Sequence, residues 1–269
     1  MIVHCPGNIL TETGYLLITE LTQLTDLPLN DLIVVMAAVS IAGIVRGFAG
    51  FGLSAIVMAS VAFLIPPVEL IPICFVLEGT ASLAMFRGGM RNADMKMVWV
   101  LVITSAIGLP LGLLATTSIS TDHSKLVALC LILCLTVAQI LKFAPEFLAT
   151  RGGLYLSGLV AGLATGLASV GGMVIALYIL ASGSEPKQMR ASLVMYLAIG
   201  MFTSLFYLFA YGMLTREAIW RGALMSPLVL LGVGLGSLLF RPAHERFYKK
   251  ACLLLLMLLA ATGLTLQLF

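Results

Sequence analysis

Charged residues are scarce in this chain. Asp, Glu, Lys and Arg make up only 10% of its 269 residues, whereas they make up about a quarter of a typical soluble domain. Apolar residues account for 61%, and the mean hydropathy is +1.11, which excludes a soluble fold. Several apolar runs approach the roughly 20 residues that cross a membrane, and they lack the alternation of barrel strands. The composition predicts an all-α integral membrane protein.

Motifs of soluble chemistry are absent as well. No HExxH, GxSxG or P-loop sequence occurs, so neither an enzyme nor a cofactor is expected. The three histidines fall in predicted loops and four of the five cysteines in apolar runs, which predicts no metal site and no disulfide framework. The first 29 residues contain no Lys or Arg and no cleavage pattern. They are expected to form a short extracytoplasmic extension rather than a signal peptide.

Breaks between the apolar runs predict ten helices in two sets of five. Pro67 and Pro186 suit the first turn of a helix, and Asn92 is a candidate helix cap. The extension of 1–29 is thus followed by a first transmembrane repeat over 30–145 and a second over 146–269, together forming one transport domain. The predicted helices cover 30–47, 50–65, 67–87, 96–117, 124–143, 153–168, 171–183, 186–211, 217–239 and 246–268.

The two halves match residue by residue. Small residues recur in membrane helix interfaces anyway, but the shared order of breaks, prolines and loops favours an internal repeat. At an offset of 119, the residues Ala42, Gly43, Gly47, Ala49, Gly52 and Pro67 fall on Ala161, Gly162, Gly166, Ala168, Gly171 and Pro186. At an offset of 124, the residues Gly108, Leu111 and Gly112 fall on Gly232, Leu235 and Gly236.

The positions of the basic residues predict the orientation, because Lys and Arg near helix ends favour the cytoplasm. With the N-terminus outside, three of the 15 fall on outer segments, and Arg46 lies within the membrane region. Both termini are then extracytoplasmic, in a bacterial inner membrane, and the two repeats are inverted, as in many secondary carriers. The predicted cytoplasmic segments hold the other 11, namely Arg87, Arg91, Lys96, Lys142, Arg151, Lys187, Arg190, Arg241, Arg246, Lys249 and Lys250.

Each repeat must cross the membrane an odd number of times. Two arrangements satisfy this condition: five full spans, or three spans preceded by a re-entrant hairpin formed by the first two segments. Residues 30–65 would extend about 54 Å as one helix, so a break is needed in either arrangement. The sidedness of the loops is the same in both.

The breaks themselves are the predicted substrate site. Glycine clusters let each helix unwind, and unwound backbone at membrane depth is tolerated only inside protein or beside a wet cavity. Helix N-termini that face each other there would favour an anion, and the Arg46 fork suits oxyanions. The site residues are Arg46, Gly47, Phe48, Ala49, Gly50, Phe51, Gly52, Thr165, Gly166, Ser169, Val170, Gly171 and Gly172.

Plainer interpretations exist for the same residues. The glycines can serve only close helix packing, and Arg46 can snorkel from the cytoplasmic end of a full span. Glu78 lies near the middle of a predicted helix, where an ionisable residue is costly. It is a candidate for carrying a coupling proton or pairing with Arg46; the alternative is a structural carboxyl bonded to Thr80 or Ser82. Weaker pocket candidates are Gln139, Tyr178 and Thr203.

At these residues the chain resembles the TauE/SafE family of sulfite exporters, also called the toluene sulfonate uptake permease family. The second half, with GLVAGLATGLASVGGMVIALYILASGSEPKQMRASLVMYL, is similar to the repeat motif of that family, and the first half contains GIVRGFAGFGLSAIV, GGMRNADMK and AIGLPLGLL. The resemblance covers about residues 30–268. Met173 is a departure, because many members continue the second glycine run into proline, and it bears on the local helix start and substrate choice.

The resemblance implies transport of sulfite, thiosulfate or small organosulfonates. The leading hypothesis is therefore a secondary carrier that exports sulfite or an organosulfonate such as sulfoacetate by alternating access between inverted repeats. Alternatives are an uptake permease for sulfonate or thiosulfate, an anion channel, and a membrane scaffold without substrate. The expected partners are the anionic sulfur-containing substrate, membrane lipid, a coupling proton and a second copy in a homodimer, but no nucleic acid.

Overall fold

The computed structural model describes residues 28–143, 145–183, 185–239 and 245–268, so nearly all of the predicted extension, 1–29, lies outside them. Within these ranges the chain forms ten α-helices and a 3₁₀ turn at Glu146–Ala149, without a strand. The all-helical prediction is confirmed. The helices are α1 (Leu29–Ala49), α2 (Leu53–Val61), α3 (Pro67–Met90), α4 (Met95–Ser118), α5 (Thr121–Ile140), α6 (Arg151–Ala168), α7 (Gly171–Ala181), α8 (Pro186–Ala210), α9 (Arg216–Leu239) and α10 (Glu245–Leu268).

The lengths of the helices separate membrane spans from shorter segments. Six described helices, α1, α3, α4, α5, α8 and α9, are long and apolar enough to cross a membrane, which makes this a multi-pass membrane protein. By contrast, α2 has 9 residues and α7 has 11, or about 14 and 16 Å. Neither can cross a hydrocarbon core of roughly 30 Å as a helix. The lengths therefore favour the hairpin arrangement over five full spans, with α1 as the longer arm.

The two short helices form the interior of the protein. Eight of the nine residues of α2 are buried, as are nine of the eleven residues of α7. Helices that are apolar on all sides are stable only when other helices cover them. The six spanning helices instead expose large apolar side chains, such as Ile103, Phe202 and Leu231, as expected for surfaces that face lipid.

The residues at the helix starts agree only in part with the prediction. Pro67 and Pro186 occupy the first turns of α3 and α8. Asn92 is not a cap, because α4 begins three residues later, where the Asp94 carboxylate accepts a hydrogen bond from the Met97 amide at 3.1 Å. A carboxylate at this position also interacts favourably with the positive end of the helix dipole.

Glycines bring α1 and α9 into backbone contact. A Cβ atom added at Gly47 would overlap the carbonyl oxygen of Val233, and one added at Gly236 would overlap that of Ile44. Such close approach is the usual role of small residues in membrane helix interfaces. The packing interpretation of Gly47 is therefore sufficient for this residue.

The same contact recurs between α4 and α6. A Cβ atom at Gly166 would overlap the Leu113 amide nitrogen, and one at Gly112 would overlap the Leu163 carbonyl oxygen. Gly47 and Gly166 are equivalent in the sequence repeat, as are Gly112 and Gly236. Each of these two interfaces, α1–α9 and α4–α6, therefore joins a long helix of the first repeat to a long helix of the second.

The remaining packing follows the same exchange. Helix α3 packs on α9 and α8 packs on α4, while α3 also packs on α8 and α5 on α10. If each of α1–α5 is exchanged with its counterpart in α6–α10, the same set of helix pairs results. The pattern supports an internal repeat, while its inversion relative to the membrane stays a prediction.

Candidate functional site

Two glycines produce the first break. Gly50 and Gly52 have φ angles of 82° and 93°, a region that only glycine adopts without strain. Gly50 closes α1 by donating its amide to the Arg46 carbonyl at 2.9 Å, and Gly52 caps the start of α2. The chain therefore reverses within three residues, deep inside the protein.

Arg46, from the last turn of α1, is fully buried. Its Nε lies 2.9 Å from a carboxylate oxygen of Glu78, and its Nη2 donates to the Ser82 hydroxyl at 2.9 Å. Its Nη1 donates to the carbonyl oxygen of Gly50 in the break. Arg46 therefore does not snorkel to a membrane surface, and the predicted pairing with Glu78 is present.

Glu78 lies on α3, and its side chain contacts the N-terminal end of α2. Its second carboxylate oxygen accepts hydrogen bonds from the Ser54 hydroxyl at 3.0 Å and the Ser54 amide at 3.3 Å. The anion expected at this helix N-terminus is thus a side chain of the protein itself. Thr80 does not bond Glu78 but donates to the Val76 carbonyl, and Ser82 bonds Arg46, so the predicted alternative partners are not used.

The second break has different chemistry. Ser169 takes the left-handed conformation with φ 58° and caps α6, donating its amide to the Thr165 carbonyl at 2.8 Å. Helix α7 then begins at Gly171, with neither a side-chain cap nor an acidic residue in its first turn. Its positive end is therefore not neutralised locally by a carboxylate.

A central cavity of about 60 Å³ lies at this second break. One buried water needs about 10–15 Å³ on this scale, so the cavity fits a few waters or one small oxyanion. Five predicted residues line it: Glu78, Thr165, Ser169, Gly171 and Thr203. The other lining residues are Ile71, Phe75, Ser105, Leu109, Leu113, Gly162, Tyr196, Leu197, Gly200, Met201, Ser204 and Leu208.

The other predicted site residues lie around the cavity without lining it. Phe48, Phe51 and Val170 are buried in the core, Tyr178 is buried on α7, and Gln139 donates to the Met173 carbonyl at 3.2 Å, which braces the first turn of α7. Gly50 and Gly52 lie within the first break, whereas Ala49 is the last residue of α1 and Gly172 lies in the first turn of α7.

Sequence reasoning missed several polar groups in or beside the cavity. Ser54 bonds Glu78, while Ser105, Tyr196 and Ser204 line the cavity. Ser105 lies in the stretch between the family-like segments AIGLPLGLL and GGMRNADMK, and nothing in the sequence marks it as different from a packing serine. Tyr196 falls within the MYL segment of the second repeat motif, and its place in that motif could have marked it as a candidate.

The two repeats contribute unlike side chains at equivalent positions. Glu78 corresponds to Leu197 at the offset of 119, and both line the central cavity. Arg46 corresponds to Thr165. The first repeat therefore supplies a buried ion pair, whereas the second supplies an apolar wall and a hydroxyl.

Two larger cavities lie at opposite ends of α3 and α9. The threonine cavity, about 710 Å³, is at the start of both helices and contains Thr116, Thr117, Thr121, Thr215 and the 3.5 Å Glu69–Arg221 ion pair. The basic cavity, about 510 Å³, is at their other ends and contains Lys187 and Arg190. The central cavity lies between the two.

The barriers on the two sides of the central cavity differ. Toward the threonine cavity the barrier is apolar and consists of Leu113 and Leu208, which line the central cavity. Three residues further along the chain from each of them, Thr116 and Tyr211 line the threonine cavity. Toward the basic cavity, the buried Arg46, Glu78 and Ser82 form a polar layer. These two layers separate the central cavity from the larger cavities at the two ends.

Comparison with known proteins agrees with this architecture. Neither the curated proteins nor the solved structures include a match. The profile of the family described as sulfite exporter TauE/SafE matches residues 35–263, a range that includes both breaks and all the described lining residues of the three cavities. The chain belongs to the sulfite exporter TauE/SafE family of membrane transporters of sulfur-containing anions.

Proposed function

We propose that this protein is a secondary transporter that exports sulfite or an organosulfonate such as sulfoacetate by alternating access. The observation that carries the proposal is the central cavity, lined by hydroxyl groups and the start of α7, with a barrier on each side toward the two larger cavities at opposite ends of the molecule. Such a compartment suits a carrier. A channel requires a continuous path, and the buried Leu113 and Leu208 interrupt it.

The substrate is proposed to bind at the N-terminus of α7. Gly171 lines the cavity there, and the partial positive charge and amide groups of a helix start favour an anion. Ser169 and Ser204 add hydroxyl groups on the cavity wall, whereas the Thr165 hydroxyl, which also lines the cavity, donates to the Ala161 carbonyl at 2.7 Å. The Glu78 carboxylate also borders the cavity, but Arg46 balances its charge.

Glu78 is proposed to carry the coupling proton. Its carboxylate holds Arg46 and the start of α2 together. Protonation would remove the charge that balances Arg46, and the uncompensated guanidinium would then attract the substrate anion. Proton and anion would therefore bind and cross together without a second acidic residue, and net export would be driven by the outward gradient of the anion against the inward proton gradient.

The test uses purified protein in proteoliposomes. We expect saturable flux of sulfite or sulfoacetate that responds to a pH gradient, without single-channel currents. Loading the anion on each side in turn separates export from uptake. Absence of both flux and binding would overturn the proposal, and single-channel currents would identify a channel instead.

The size of the cavity gives a second test. Gly200 lines the central cavity, and a Cβ atom there would meet no neighbour within 4 Å. Gly200→Val should therefore fill part of the cavity and lower flux of sulfoacetate more than that of sulfite. Gly152→Val is the matched control, because a Cβ atom at Gly152 would be 3.6 Å from its nearest neighbour, an ordinary contact, and Gly152 lines none of the three cavities. Equal loss of both substrates would place the binding site elsewhere.

A further inference from the structure

We infer that the basic cavity is a second anion site, which loads the substrate before it reaches the central cavity, and that Arg190 links this site to the break in α1. This inference rests on the proposed function. It assigns a role to Lys187 and Arg190, which the sequence marked only as cytoplasmic charges.

The charge in the basic cavity has one sign. Lys187 and Arg190 line it together with the polar Asn92 and Ser237, and its described lining contains no Asp or Glu. A cleft with charges of one sign and low-dielectric walls concentrates ions of the opposite sign. With a volume of about 510 Å³, the cavity accommodates a hydrated anion that would have to lose water to enter the central cavity.

Arg190 also contacts the broken segment directly. Its Nη2 donates to the carbonyl oxygen of Gly47 and to the Ser237 hydroxyl at 3.1 Å. The Gly50 backbone lies against it, since a Cβ atom there would be 3.0 Å from the Cγ of Arg190. The side chain therefore ties α8 and α9 to the last turn of α1, which also contains Arg46.

The two acceptors described for Arg190, the Gly47 carbonyl and the Ser237 hydroxyl, are neutral. A sulfonate or sulfite oxygen carries charge and would accept from the same guanidinium more strongly, because charge-assisted hydrogen bonds are about twice as strong as neutral ones. Binding of the anion would then weaken the contacts of Arg190 to Gly47 and Ser237. Loading of the basic cavity would in this way loosen the segment that holds Arg46 and Glu78.

The same chemistry suits the phosphate of a lipid headgroup. Basic residues at the cytoplasmic end of membrane helices attract anionic lipids. The shared ligand chemistry is therefore an oxyanion, and the experiment must separate a soluble substrate from a lipid. Proteoliposomes of neutral lipid alone and of neutral with anionic lipid provide the two arms.

The variants are Lys187→Gln, Arg190→Gln and the control Arg87→Gln. Lys187 is exposed, so its substitution leaves packing intact, and Arg87 is an exposed cation at the same end of α3 that does not line the cavity. In neutral lipid, we expect Lys187→Gln and Arg190→Gln to raise the KM for sulfite or sulfoacetate supplied at the basic-cavity side about tenfold each, the magnitude of one charged hydrogen bond. The KM from the opposite side and that of Arg87→Gln should stay near the wild-type value.

Each other outcome decides the matter. An unchanged KM in both variants, or an equal change in Arg87→Gln, overturns the inference while flux in the wild type preserves the proposed function. An effect confined to anionic lipid assigns the cavity to a lipid headgroup and rejects substrate loading. Absence of flux in the wild type rejects the proposed function and the inference with it.

Discussion

The buried ion pair is the costliest residue-scale feature of this protein. Arg46 is fully buried and the Glu78 side chain is 15% exposed, and removing charges from water costs several kcal/mol per ion unless hydrogen bonds replace the lost hydration. Here the backbone of Gly50 and the hydroxyls of Ser54 and Ser82 supply those bonds. An apolar pair would pack with less cost, so the retained charge is best explained by function.

Breaking this pair should destabilise the protein and stop transport. Glu78→Gln leaves Arg46 buried without its counter-ion, a change that costs about 3–5 kcal/mol in buried pairs. Thermal unfolding in nanodiscs and flux in proteoliposomes measure the two effects. Glu69→Gln is the control, because it removes an exposed carboxylate paired with Arg221 and should cost less than about 1 kcal/mol. Equal thermal shifts in the two variants would contradict the role given to the buried pair.

Ser169 separates backbone strain from ligand binding. Its φ of 58° suits glycine, so Ser169→Gly should unfold at or above the wild-type temperature, whereas Ser169→Ala should be destabilised by about 1 kcal/mol. Both variants remove the cavity hydroxyl and should weaken substrate binding about tenfold, as for one hydrogen bond to a charged group. Titration of purified protein with sulfite measures this. Wild-type affinity in both variants would remove Ser169 from the site.

At the scale of helices, the glycine interfaces define the two long-helix pairs. The α1–α9 and α4–α6 contacts use equivalent glycines whose Cα atoms touch the opposite backbone. Without a hydrophobic driving force between helices in lipid, such close packing is a main source of association. These pairs are therefore expected to move as rigid units, while α2 and α7, with their unwound starts, change position between them.

Adding a methyl group at these interfaces should force the helices apart. Gly47→Ala and Gly166→Ala place a Cβ atom on the opposite backbone, where overpacking costs about 1–3 kcal/mol. Gly88→Ala is the control: it is also helical but has open space around it, and it should be neutral or stabilised by up to about 1 kcal/mol. Thermal unfolding midpoints in nanodiscs rank the three variants. A midpoint of Gly166→Ala at or above that of Gly88→Ala would be inconsistent with the interface.

At the scale of the whole molecule, the three cavities lie along one path between the ends of α3. The apolar barrier of Leu113 and Leu208 and the polar barrier of Arg46 and Glu78 separate them. The charge bias of the sequence would place the basic cavity at the cytoplasm and the threonine cavity outside. Sulfur anions produced in the cell would then meet the two cations first, as export requires.

Cysteine labelling tests this orientation. In a chain whose five native cysteines are replaced by alanine, we expect Asn92→Cys to react with a membrane-impermeant maleimide only from the cytoplasmic side, because Asn92 borders the basic cavity. His123→Cys, exposed at the start of α5, should react only from outside. Reaction of both from the same side would rule out the predicted topology. The reversed pattern would place the basic cavity outside, where it would serve uptake rather than export.

The sequence alone determined the helices and the two breaks and predicted the repeat, because these depend on local signals: apolar run length, proline and glycine positions and matched spacing. It also indicated Arg46 and Glu78, since an ionisable residue in an apolar run is conspicuous. The predicted helix bounds differ from the observed ones by a few residues. The largest difference is at α2, predicted over 50–65 and observed over Leu53–Val61.

Only the tertiary structure decided which groups meet. Glu78 rather than a ligand occupies the start of α2, and Arg190 reaches Gly47 across 143 positions of the chain. The same packing buried Phe51 away from the central cavity and placed Tyr196 and Ser105 beside it. Such contacts depend on how helices that are distant in sequence pack and rotate against each other, and the local sequence around a residue does not specify this packing.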